Sequence, residues 1–85
     1  MTETRILGLL ISDRIKEAGR TQAVLSRHAK IIRSRLGFHE VSEDKCSRTG
    51  IMLLHLTGVP AEWDILENEL EEIGGLQVKQ LSFTY

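Results

Sequence analysis

Eighty-five residues, 41% of them hydrophobic and with a net charge of -1, describe a single domain spanning 1–85 that can collapse around a core, which excludes a disordered chain. The longest clean apolar run, Ile6 to Ile11, is far short of the ~20 residues that cross a bilayer, so no membrane partner is expected. Near-neutral charge gives no overall pull toward nucleic acid.

The chain opens with Arg5-Ile-Leu-Gly-Leu-Leu-Ile11, a strand apolar on both alternating sets: Ile6, Gly8 and Leu10 on one face, Leu7, Leu9 and Ile11 on the other. Such strands are central and covered on both sides. Gly8 inside it marks a place where something passes close to the backbone. Too short an apolar run and no small-residue cleavage site follow Met1, so no signal peptide is expected. Ser12 and Asp13 are cap candidates for a helix predicted over about Arg14 to His28, with Ala18, Thr21, Val24, Leu25 and His28 on its apolar face. Gly19 sits inside that helix.

Ile31 to Phe38 reads as a half-polar edge strand, and His39 to Arg48 as a long polar hairpin loop. Gly50-Ile-Met-Leu-Leu-His-Leu56 is again apolar on both faces, Ile51, Leu53 and His55 against Met52, Leu54 and Leu56, and becomes the second central strand. Pro60 suits the first turn of a second helix. Trp63, Leu66, Leu70 and Ile73 form its buried stripe, and Gly74-Gly75 ends it. Leu76 to Tyr85 alternates as a last strand.

The order β-α-β-β-α-β, with right-handed crossovers, predicts an α+β ferredoxin-like sandwich: four antiparallel strands, the first and third central, and two helices on one face. The uncovered face is then an apolar patch that soluble monomers rarely leave open. Self-association through it is expected, as a homodimer or a tetramer, with either Ile6 and Leu10 or Leu7, Leu9 and Ile11 at the interface, together with Leu53 or Leu54. A loop folded over the patch is the alternative.

Seven basic residues lie between Arg14 and Arg35, and six acids without a base between Glu62 and Glu72. Attraction between neighbouring helices, or two ordinary solvated faces, accounts for this better than a phosphate footprint. The central strands carry no aromatic residue on which RNA bases could stack. His28, His39, Cys46 and His55 stand at separations unlike the tight pairs of a structural zinc site, so no metal and no other cofactor is expected. The acids cluster on one exposed helix, and no glycine-rich phosphate loop is present, so an enzyme is not expected. A single cysteine closes no internal disulfide, which favours a reducing cytoplasm.

Over roughly residues 5 to 83 the chain resembles the iron-only hydrogenase system regulators, a family similar to the C-terminal domain of nickel-responsive repressors and, more distantly, to ACT ligand-binding domains. The resemblance rests on Ile31-Ile-Arg-Ser-Arg-Leu-Gly37, on Gly50-Ile-Met-Leu-Leu54 and on Gly75-Leu-Gln-Val-Lys79. It implies an ACT-like fold, oligomerisation and a regulatory role, with a small-molecule effector as a possible partner near Gly8, Asp13 and Arg14. The first strand starts near Arg5, leaving no room for a ribbon-helix-helix reader, so no sequence-specific DNA binding by this chain alone is expected. His55 has no histidine two residues away, so nickel binding is not implied. Asp13-Arg14 is followed by Ile15-Lys16 where ACT domains often have Pro-Gly, so the turn is kept but the glycine is not. The reading is therefore a small oligomeric regulatory or ligand-sensing module. A ferredoxin-like enzyme of the dimeric α+β barrel kind and a purely structural interaction subunit are the alternatives.

Overall fold

The structure, a computed structural model, describes residues 2–41 and 46–85, with side chains outside 38–47. Strand β1 (Glu3–Ile11) leads into helix α1 (Arg14–Arg27) and a 3-10 turn (Ala29–Ile31). Strands β2 (Ile32–Val41) and β3 (Cys46–Leu56) follow, then helix α2 (Pro60–Glu71) and strand β4 (Leu76–Thr84). The strands form one sheet in the order β2-β3-β1-β4, with every neighbouring pair antiparallel. The two strands apolar on both faces occupy the two central places. This is the ferredoxin-like arrangement the sequence predicts.

Local chemistry sets the helix ends. Asp13 caps α1, its Oδ1 accepting from the Lys16 amide at 3.1 Å. Helix α2 starts from Val59 without a side-chain cap, with Pro60 in its first turn. The chain leaves α2 through Gly75, whose φ of +88° is one that a residue with a Cβ adopts only at a cost.

The core lies between the sheet and the helices. Leu7, Leu9, Ile11, Leu54 and Leu56 meet Val24 and Leu25 of α1, Ile31, and the whole stripe of Trp63, Leu66, Leu70 and Ile73. The register pairs Leu7 with Leu54 and Arg5 with Leu56, so odd-numbered positions of β1 and even-numbered positions of β3 face the helices. Of the two candidate interface sets, Leu7, Leu9 and Ile11 are thereby spent inside the chain, and Leu54 with them. Ile6, Gly8, Leu10 and Leu53 lie on the open side.

Other expectations are corrected. Ala18 of α1 is exposed and Glu17 is buried in its place. Glu17 is paired with Arg20 one turn on and lies beside the Gly75 backbone, which shields a carboxylate that could not be buried alone. Ile31 ends a 3-10 turn instead of opening β2, and its carbonyl accepts from the Thr57 amide at 2.8 Å. The stretch read as a loop from His39 to Arg48 is mostly a hairpin, since β2 runs to Val41 and β3 starts at Cys46. Backbone ladder bonds hold polar residues in a strand as well as apolar ones. Residues 42–45, the remainder of that loop, lie outside the described residues.

Candidate functional site

The face of the sheet away from the helices carries the largest concentration of exposed apolar side chains. The register orders it in cross-strand rows. One runs Leu36, Leu53, Gly8, Lys79 from β2 to β4, and the next Ser34, His55, Ile6, Leu81. Toward one end Ile51 and Leu10 stand beside Gln77; toward the other Thr4 stands beside Phe83. Leu36, Leu81 and Phe83 are 60%, 61% and 50% exposed, and Ile51 and Leu53 are exposed beside them. Among the described residues nothing covers them, because both helices pack on the opposite side.

Polar groups on this face are few and ordered. The Thr4 hydroxyl donates to the Leu56 carbonyl at 2.9 Å and lies 2.9 Å from His55 Nε2. A hydroxyl has one proton, so with that proton on the carbonyl the oxygen accepts from His55 Nε2–H. Neutral His55 is thereby fixed as the Nε2–H tautomer, and Nδ1 keeps its lone pair. Lys79 is exposed and makes no ion pair among the described residues.

The charged groups of the opposite side are engaged in holding the fold. Arg5 reaches Asp64 at 2.7 Å and lies 3.7 Å from Glu67. Burial pushes the Glu67 carboxyl up from its ordinary value, with Arg5 opposing. Glu69 of α2 takes Arg27 at 3.0 Å and also His28, both from the C-terminal end of α1, and these bonds, His28 first, hold its carboxyl below the ordinary value. The lopsided charge of the sequence is thus partly neutralised between the two helices.

The residues named for an effector site, Gly8, Asp13 and Arg14, belong to strand β1, the cap of α1 and the first position of α1. Gly8 lies mid-strand on the open face. Asp13 caps α1 and pairs with Arg48 at 3.2 Å, and the amide of Lys16, then Arg48, lowers its carboxyl pKa. The described clefts, the largest about 460 Å³ and lined by Lys30, Ile31, Glu62 and Ile65 among others, involve none of these three residues. His28 lies in the helix layer and His55 on the open face. Among the described residues no three metal-ligating side chains converge; the His39 and Cys46 side chains lie outside them. No described helix is long and apolar enough to cross a membrane.

Leu36, Leu81 and Phe83 on the edge strands belong to the open face and were not among the expected interface residues. The alternation of Lys79, Leu81 and Phe83 along β4 was the available signal, needing only the pairing of Leu81 with Ile6 to be read.

No family model and no curated protein matches the chain. Among solved structures it is similar to the uncharacterized protein TM1266 from Thermotoga maritima, at a TM-score of 0.80 and 22% identity over 96% of this chain and 99% of that one. It is also similar to a de novo designed protein, Foldit4, at a TM-score of 0.56 and 12% identity over 100% and 99% of the two chains. A dimeric ferredoxin-like protein from an uncultured marine organism stands at a TM-score of 0.48 and 8% identity over 96% and 92%. These likenesses are of fold.

Proposed function

We propose that this chain is a small self-associating regulatory module, built to pair with a second copy through its open sheet face and carrying no catalytic chemistry of its own. The observation behind this is the contiguous apolar face of Leu36, Ile51, Leu53, Leu81 and Phe83, left open by a chain whose two helices are spent on the other side. Four strands at ~4.8 Å and about six residues at ~3.4 Å make roughly 400 Å² of flat area. Side-chain relief raises that toward the ~600–800 Å² that a specific interface takes from each partner. The resemblance of Ile31–Gly37 and Gly50–Leu54 to regulators of iron-only hydrogenase systems supports the regulatory part. The non-catalytic part draws support from the acids that meet structural partners: Glu17 with Arg20, Glu69 with Arg27 and His28, Asp64 with Arg5.

Light scattering of the purified chain tests the assembly. An even multiple of 9.6 kDa at micromolar concentration is expected, and a Leu81→Glu variant, altered where the single chain is already open to water, should fold and run as single chains. A native mass of 9.6 kDa overturns the reading.

A further inference from the structure

We propose, resting on that assembly, that the two-fold axis of the pair runs along the apolar diagonal of the open face, so that His55 of each copy receives Lys79 of the other. The face is not uniformly apolar. Its apolar residues form a band running obliquely from Phe83 and Leu81 on β4, across Ile6, Gly8 and Leu53, to Leu36 and Ile51 on the far side. The polar residues fill the two corners that this band leaves: Ser34 and His55 in one, Lys79 and Gln77 in the other.

A symmetric face-to-face pair has its axis in the plane between the sheets, and the choice of direction decides which corner meets which. With the axis across the strands through the row of Gly8, or across the band, Lys79 meets Lys79 of the other copy. With the axis along the strands, Lys79 is laid on Leu36, and His55 on Ile6. Each of these buries a charge against a like charge or against an apolar side chain. Only the axis along the band exchanges the two corners. On a lattice with strands ~4.8 Å apart and same-face residues ~6.8 Å apart, an axis from Phe83 through the midpoint of Gly8 and Leu53 carries His55 to within about 2 Å of the Lys79 position.

The chemistry of the two groups agrees with the geometry. Lys79 brings three donors and no acceptor. His55 is held by Thr4 in the tautomer whose Nδ1 is an acceptor with no hydrogen bond among the described residues. The same operation lays Leu53 of one copy close to Gly8 of the other, a projecting side chain over the one position on the band that has none. Each contact occurs twice.

Charge exchange tests the pairing, read as the dissociation constant of the pair by sedimentation. His55→Lys sets two ammonium groups against each other at each corner and should weaken the pair by at least about tenfold. Adding Lys79→Glu to His55→Lys should restore most of the loss, because each new lysine then faces a glutamate. If the axis ran the other way, the double variant would set lysine on lysine and glutamate on glutamate and would be no tighter than His55→Lys. A native pair whose double variant is no tighter than His55→Lys overturns the axis and leaves the assembly standing. A native chain that sediments as a monomer overturns both.

Discussion

The guanidinium carbon of Arg5 rests 5.3 Å from the centroid of the Trp63 ring. Trp63 is fully buried, and its indole N–H donates to the Thr57 carbonyl at 2.8 Å. One ring thus fills the largest side-chain volume of the core, closes the turn before α2 and carries a cation on its face.

Trp63→Ala should therefore cost about 3–5 kcal/mol, enough to unfold much of a population of so small a domain. Arg5→Met keeps the apolar stem but loses the cation over the ring and the bond to Asp64, and should cost about 1–2 kcal/mol. Urea unfolding followed by tryptophan fluorescence measures the second variant, and circular dichroism both.

Two glycines should respond to alanine in opposite directions. An added Cβ at Gly19, in the interior of α1, meets nothing within 4 Å, so Gly19→Ala should stabilise by about 0.5–1 kcal/mol. Gly75 has a φ of +88°, and Gly75→Ala should destabilise by about 1–2 kcal/mol. Thermal melts of the two variants against the native chain read both signs at once.

The acid limb of stability should be divided between two glutamates with opposite slopes. The Glu69 carboxyl is held below its ordinary value of 4.5 by His28 and then Arg27. Its contribution is complete above that value and is lost as pH falls toward the folded-state value. The advantage of the native chain over Glu69→Gln should therefore be greatest near neutrality and close as pH drops below about 4.5. Glu67 is raised above 4.5, chiefly by burial, so its ionisation in the folded chain carries a cost. Relative to Glu67→Gln the native chain should lose ground as pH rises through 4.5. Urea midpoints of the three proteins between pH 3 and 7 decide this.

Sheet order and the α2 stripe were legible because pattern and topology agree independently: β1 and β3 are apolar on both faces, and the βαββαβ order makes those two central. Which face the helices take was not legible. Ile6 and Leu10 are as apolar as Leu7, Leu9 and Ile11, and the choice is made by strand register against Trp63, Leu66 and Leu70, a tertiary fact. Glu17 escaped for a similar reason, since its burial depends on Arg20 and on the Gly75 backbone brought alongside by the fold. The tautomer of His55 depends on the Leu56 carbonyl that occupies the proton of Thr4. In the proposed pair Lys79 and the His55 corner are neighbours only through symmetry, a relation that no pattern along one chain displays.

Gly8 lies beside the line that the proposed axis follows along the open face. Inside its own chain a Cβ there would lie 3.8 Å from Leu53 Cδ2, an ordinary contact, so a small side chain is no obstacle to folding. Between copies, one codon change would place two new groups in the same narrow gap, each under a leucine of the other chain. In a pair built on that axis, folding and assembly would be separately adjustable at this one position, and a lineage could drift from tight pairs to loose ones through Gly8 with its monomer unaltered.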